Sequence, residues 1–197
     1  MKRGVIACAV LLCALPAQGD LTTISPAVLD ALTQIDTAPS KTTLNSMFPT
    51  QDAALANLRM IALDHTNFGV QLRAIRALPA YCPTLPLTCN ATVPHDTLLV
   101  LVDEYKRSPR SPQDILRARA AIEALGATHT SLPSDVSVLS PLLADPSRDL
   151  RATVAHALRN VCSAEAIEPL RARFQIEPIE QVRRVINAAL RDLRQCP

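Results

Sequence analysis

Four leucines, Leu78, Leu125, Leu158 and Leu190, each close the same short pattern, and that recurrence constrains the chain more than any other feature. The residue before each is alanine: Ala77, Ala124, Ala157 and Ala189. Four before stand Ala74, Ala121, Val154 and Ile186, and eight before stand Val70, Arg117, Leu150 and Val182. These offsets fall on one face of an α-helix, so each leucine ends an amphipathic helix with its apolar stripe turned inward. The leucines are spaced 47, 33 and 32 residues apart. Self-similarity at that period marks an array of helical units. Arg117 is the misfit, and Leu116 beside it is expected to take the apolar role.

The segments between these helices read as their partners. Ser25-Pro26 opens a short N-terminal helix, and residues 36–49, polar with two prolines, read as a loop. Thr50 caps a helix through Leu63, and a turn over 64–69 leads into the helix that ends at Leu78. Asp96 to Arg107 pairs with Gln113 to Leu125. Ser111-Pro112-Gln113-Asp114 resembles a capping box there, and Gly126 is expected to stop the helix. Ser134 to Ala144 pairs with a helix that Asp145-Pro146 caps and that runs to Val161. Glu165 to Phe174 pairs with a helix from Glu177-Pro178 to Arg194. Glycine is scarce, with 4 in the chain, tryptophan is absent and aromatics make up 3%, while β-branched alternation is missing. Helices, and no sheet, are the expectation.

The run Leu143-Ala144-Asp145-Pro146-Ser147-Arg148-Asp149-Leu150-Arg151-Ala152, continued by Val154-Ala155-His156-Ala157-Leu158, resembles the inter-helix turn and second helix of a HEAT repeat. Leu63-Asp64 with Val70 to Leu78 is a looser copy, and Val182-Arg183 through Leu190 matches the second helix alone. The resemblance covers about residues 50–194. It implies an all-α chain: a short right-handed α-solenoid of about four HEAT-like helix pairs, at about 50–80, 95–126, 134–161 and 165–194, preceded by a short N-terminal helix within 20–49. It also implies a concave side lined by second helices, and an arginine at Arg151 and Arg183 bonding the inter-helix turn. Other helical-pair repeats, armadillo-like among them, share these features.

The first 19 residues read as a signal peptide: Lys2 and Arg3, an apolar stretch from Gly4 to Leu15, and small residues at Ala17 and Gly19 before a cleavage point. Val5-Ile6-Ala7-Cys8 resembles a lipobox, but Cys8 has only four apolar residues ahead of it, so cleavage after Gly19 is preferred to a lipid anchor. The expected localisation is periplasmic or secreted, with no transmembrane segment in the mature chain. Loss of Lys2 and Arg3 leaves 18 basic against 18 acidic residues, a balance that offers nothing to nucleic acid. Cys82, Cys89, Cys162 and Cys196 remain, an even number that suggests two disulfides, with three pairings open. Cys82 and Cys89 flank a proline-bent loop. Cys162 and Cys196 follow Leu158 and Leu190 at like ends of neighbouring second helices. The expected pairs are therefore Cys82–Cys89 and Cys162–Cys196.

Catalytic patterns are missing from the sequence. It has no His-x-x-x-His, no His-Glu pair, no glycine-rich phosphate loop and no Gly-x-Ser-x-Gly elbow. No Cys-x-x-Cys or nearby histidine suggests zinc. The four histidines are scattered and read as surface or capping residues. No cofactor and no metal are expected. The expected function is a non-enzymatic binding or scaffolding module for a protein or peptide partner. A structural subunit of an envelope assembly and an enzyme accessory or lyase-like chaperone are the alternatives. Two offsets in the repeat, two and seven before the leucine, nominate the partner surface: Arg76, Glu123 and His156 at the first, Gln71, Arg151 and Arg183 at the second. Residues 148–197 hold nine arginines against six acids. They read as a structural ladder with a solvated face, the alternative being a mildly basic concave strip that grips an acidic partner.

Overall fold

The computed structural model describes residues 23–34, 39–83, 89, 91–107 and 111–196. The expected signal peptide and the centre of the proline-bent loop lie outside them. Among the described residues there are ten α-helices and no strand: α1 (Pro26–Thr33), α2 (Lys41–Asn45), α3 (Gln51–Asp64), α4 (Phe68–Ala77), α5 (Val93–Arg107), α6 (Pro112–Gly126), α7 (Pro133–Leu139), α8 (Arg148–Val161), α9 (Ile167–Ile176) and α10 (Glu180–Asp192). Short 3-10 turns η1 (Leu78–Tyr81), η2 (Ser140–Ala144), η3 (Ala164–Ala166) and η4 (Leu193–Gln195) extend them. The pairs α3/α4, α5/α6, α7–η2/α8 and α9/α10 form four successive units. The second helices stack directly, α4 on α6, α6 on α8 and α8 on α10.

Side-chain caps start several of the helices. The Thr50 side chain accepts from the Ala53 amide at 3.2 Å, and Ser111 and Asp114 form the reciprocal capping box. Several expected boundaries move: α5 starts at Val93 rather than Asp96, and α10 at Glu180 rather than at Glu177-Pro178. Residues 41–45 are helical, not loop, because Ser40 caps α2 and Leu44 is buried under it. Ser147, not Asp145-Pro146, caps α8, accepting from the Leu150 amide at 3.3 Å. Asp145 instead holds the turn itself, accepting from the Ser147 amide at 2.8 Å. Pro141, which has no amide hydrogen, sits where α7 gives way to the 3-10 turn η2.

The repeat pattern predicts the core well. Leu78, Leu125 and Leu158 are fully buried, as are Ala74, Ala121, Val154 and Ile186. Leu190 is only half-buried, since among the described residues no further unit covers it. The expected role of Leu116 fails. It is exposed, while Arg117 turns to Glu104 at 3.7 Å and Asp114 at 3.8 Å, so a charge cluster replaces an apolar contact there.

The stack ends differ. At the first unit, α1 packs on α4. The Ser25 amide donates to the buried Asn57 at 2.8 Å. Arg73 donates to the Leu32 carbonyl at 2.7 Å and also to that of Gln34, satisfying the end of α1. At the last unit, Cys162 is joined to Cys196 across 34 residues of sequence, with Cα atoms 5.6 Å apart. Closing a loop of that size contributes on the order of 3–4 kcal/mol on a chain-entropy basis. Cys162 itself ends α8 in the left-handed region at φ 58°. Cys82 is joined to Cys89 beside η1, with Cα atoms 5.0 Å apart.

Gly126 does not stop α6 by adopting a left-handed conformation; it remains within the helix, and its role is closeness. A Cβ there would lie 2.8 Å from the Ala157 Cα and 3.1 Å from its Cβ. The α6–α8 contact is therefore made backbone to backbone. Gly126→Ala gains about 1 kcal/mol of helix propensity but forces the second-helix layer apart, an overpacking cost of about 1–3 kcal/mol. The expected net result is a lower melting temperature. Gly69→Ala in the first turn of α4, where the nearest atom is the Asn67 Oδ1 at 3.5 Å, is expected to be neutral or stabilising. Thermal denaturation of the two variants side by side checks both signs.

Candidate binding face on the second helices

Two kinds of polar position come out of the repeat. The first is buried and holds the inter-helix turns. Measured from the closing leucine, the residue thirteen before it accepts a backbone amide two residues on. His65 Nδ1 accepts from Asn67 at 3.0 Å, Asp145 from Ser147 at 2.8 Å, and Glu177 from Ile179 at 3.1 Å. The residue seven before the leucine then bonds the turn carbonyls. Gln71 donates to Leu63 at 3.3 Å, and Arg151 donates to Asp145 at 2.9 Å and Pro146 at 3.0 Å.

Arg151 also crosses to the next unit. Its Nε and Nη2 donate to both oxygens of Glu177, at 2.8 and 2.7 Å, and Arg173 reaches the same carboxylate at 2.7 Å. Arg151 and Glu177 are both buried. The bidentate fork and the other two donors hold the Glu177 carboxyl down to about 2, against an ordinary 4.5. Tyr105 makes the equivalent crossing one unit earlier, donating to Asp145 at 2.9 Å.

A further buried pair was unexpected for a histidine set read as surface or capping. His95 is 2% exposed, and its Nε2 meets the Asp135 carboxylate at 3.0 Å. Thr130 donates to the other Asp135 oxygen. The pair ties α5 to α7. The hydrogen bond from Asp135 raises the His95 pKa above its ordinary 6.5, more than burial lowers it, with Asp96 adding to the effect. The Thr130 hydroxyl bonds the acid rather than the imidazole, so the trio does not form a nucleophile–base relay.

The second kind of position is exposed. Arg76 on α4 lies 3.8 Å from Glu123 on α6, Arg119 lies 4.0 Å from Glu123 and 4.0 Å from Asp149 on α8, and Arg159 lies 3.3 Å from Asp192 at the end of α10. His156 Nε2 accepts from Arg159 at 3.0 Å, since arginine can only donate. Burial first, and then the Arg159 charge, push the His156 pKa below its ordinary value, so the imidazole is neutral near pH 7. Between α6, α8 and α10 lies a depression of about 350 Å³ lined by Arg119, Glu123, Asp149, Ala152, Thr153, His156 and Val185.

The six nominated residues therefore divide. Arg76, Glu123 and His156 share the exposed face. Gln71 and Arg151 are corrected from the partner surface to buried turn positions, the place that the repeat resemblance implies for Arg151. Arg183 is exposed on α10, with its guanidinium 4.9 Å over the Phe174 ring rather than on the turn carbonyls. The cause is helical geometry: at about 100° per residue, offsets of two and seven lie about 140° apart, and an offset of seven returns almost to the leucine. Arg119, Asp149, Thr153 and Arg159 belong to the face and were not nominated. Their offsets, five, six and nine before the leucine and one after it, show that a period of three to four from Glu123 and His156 finds most of them. The face is mixed in sign, not the basic strip held as an alternative. Among the described residues no three His, Cys, Asp or Glu side chains gather as a metal-binding group, and no helix is long and apolar enough to cross a membrane.

Stacked helix pairs with buried turn bonds and an exposed polar second-helix face define a helical-repeat protein. Residues 105–191, from α5 into α10, match the family model of HEAT repeats, which supports a HEAT-repeat architecture for that span. HEAT repeats mediate protein–protein interaction. No curated protein and no solved structure matches the chain.

The two buried pairs give stability opposite pH dependences. The Glu177 contribution is present above pH 4.5 and is lost as pH falls toward its folded pKa of about 2. The His95 contribution is full below 6.5 and is lost as pH rises through the raised folded pKa. Urea unfolding across pH is expected to show both slopes. Arg151→Ala leaves Glu177 buried without its main partner and is expected to cost about 3–5 kcal/mol at pH 7. Much of that difference disappears near pH 2.

Proposed function

We propose that this chain is an exported, non-enzymatic binding or scaffolding protein that holds a protein or peptide partner against the exposed face of α4, α6, α8 and α10. The observation that carries this reading is the depression at Arg119, Glu123, Asp149 and His156, crossed by a line of opposite charges running from Arg76 to Asp149. These pairs stand 3.8 to 4.0 Å apart and are partly exposed, so they are weak and exchange readily for a partner's groups. A surface of mixed sign suits another protein's mixed surface better than a polyanion. The half-buried Ala152 and Val185 supply an apolar floor.

Export rests on the residue 1–19 pattern and on the two disulfides, which persist in an oxidising compartment such as the periplasm or the extracellular space. N-terminal sequencing of the processed protein tests the cleavage after Gly19. A lipid-modified Cys8 or an intact Met1 contradicts it.

The binding face is tested by placing a photocrosslinking residue at Ala152 and, separately, at exposed Leu116, in protein recovered from the exported fraction. The expected result is a discrete crosslinked partner from Ala152 alone, lost on Arg76→Glu or His156→Glu while the melting temperature stays nearly unchanged. A partner captured from Leu116 alone, or unaffected by both charge substitutions, contradicts the assignment.

A further inference from the structure

The last unit keeps the side that every inner unit covers, and its residues there have changed. Three before the closing leucine, Ile75, Ile122 and Ala155 are fully buried, whereas α10 has the exposed Asn187. Seven before, Arg151 grips Glu177 of the following unit, whereas Arg183 meets no carboxylate among the described residues. Leu142 of η2 is buried against α9. The equivalent Phe174 of α9 is half-exposed under Arg183. Half-buried Leu190 lies on the same side. Ile176, at the end of α9, is 71% exposed, the most of the large apolar residues.

Charge on this side is mostly basic, the exposed acid near it being Glu180, which Arg184 meets at 3.1 Å. Of the nine arginines in residues 148–197, Arg148, Arg151, Arg159, Arg171, Arg173 and Arg184 stand within 4.0 Å of a carboxylate. Arg183, Arg191 and Arg194 make no ion pair among the described residues, and all three are exposed on or just beyond α10. Arg183 and Leu190, seven residues apart on α10, lie within about 20° of one another, and Arg194 follows in the turn η4. A terminal helix needs a polar outer side for solubility. Amides or paired charges would serve that need, and unpaired arginines beside a half-exposed leucine and phenylalanine go beyond it.

We infer that the α9–α10 edge is a second docking surface, for a helical protein partner that presents a carboxylate to Arg183 and apolar side chains to Leu190 and Phe174. The Arg151–Glu177 fork shows the chemistry this repeat position accepts when a helical layer lies over it. A second copy of the chain is a poor occupant. Its opposite edge is already closed by α1, fastened through Arg73 and Asn57, and its equivalent turn acids Asp145 and Glu177 are buried. The Cys162–Cys196 bond holds η4 and with it Arg194, so the arginine row is presented on a fixed end. Asn187 in place of an apolar residue makes the surface suited to reversible docking rather than to permanent stacking.

The test uses the full oxidised chain and a fluorescent amphipathic helical peptide with leucines on one side and glutamates beside them, followed by anisotropy. Arg183→Glu with Arg194→Glu is expected to weaken binding at least about tenfold, with an unchanged circular-dichroism melt. Arg76→Glu on the other face is expected to leave binding within about twofold. A peptide with lysines in place of the glutamates is expected to bind the double variant and not the parent. Equal peptide binding by parent and double variant, or loss on Arg76→Glu instead, overturns the inference. So does binding of phosphatidylglycerol vesicles or an oligothymidylate as tightly as the acidic peptide, which would make the edge a general polyanion site. Self-association of the chain that Arg183→Glu abolishes would assign the edge to a second copy and overturn it equally. Because Ala152 crosslinking reads a different face, either assignment can fail while the other stands.

Discussion

Each helix pair is apolar on two sides, and only a neighbour can cover the second one. Leu78, Leu125 and Leu158 are fully buried because another unit follows them, while Leu190, in the same position, is not. The remaining features answer to that requirement. The alanines and Gly126 let the second helices approach closely enough to exclude water. The buried crossings from Tyr105 to Asp145 and from Arg151 to Glu177 set where one unit lies on the next. Such charge fixes register at a desolvation cost that three donors to Glu177 offset.

The two ends meet the requirement by different means. At the first unit, α1 supplies the missing layer, and Arg73 and Asn57 satisfy its exposed backbone groups. At the last, a disulfide restrains the chain end and polar residues replace apolar ones on the open side. This asymmetry leaves one edge closed and the other chemically ready for a visitor. The long exposed face of the second helices belongs to neither edge, which is why two separate surfaces can be assigned.

Much of this was legible in the residues. The pattern around the four leucines placed the second helices and most of their buried positions, and Ser111 to Asp114 announced its capping box. Boundaries were less legible where two side chains competed for one role, as at Asp145 and Ser147: either could cap, and the turn decided. The helix at 41–45 escaped notice because five residues carry too little periodicity beside two prolines. The site was half legible. Arg76, Glu123 and His156 follow from the helical period, and the repeat resemblance places Arg151 on the turn, but the offset that nominates Gln71 and Arg151 for the surface points at the core. The His95–Asp135 pair could not be read at all, since it joins residues 40 apart through packing alone.

Nearest-neighbour stacking makes a claim about how stability is distributed along the chain, and native-state hydrogen exchange under oxidising and then reducing conditions reads it directly. With both disulfides intact, amides of α6 and α8, covered on both sides, are expected to be the slowest to exchange. Reduction is expected to speed exchange in α10 and the end of α9 first, with α6 and α8 keeping most of their protection. Uniform loss of protection through all the helices on reduction, or faster exchange in α6 than in α10, would contradict the view that each unit is held by its neighbours.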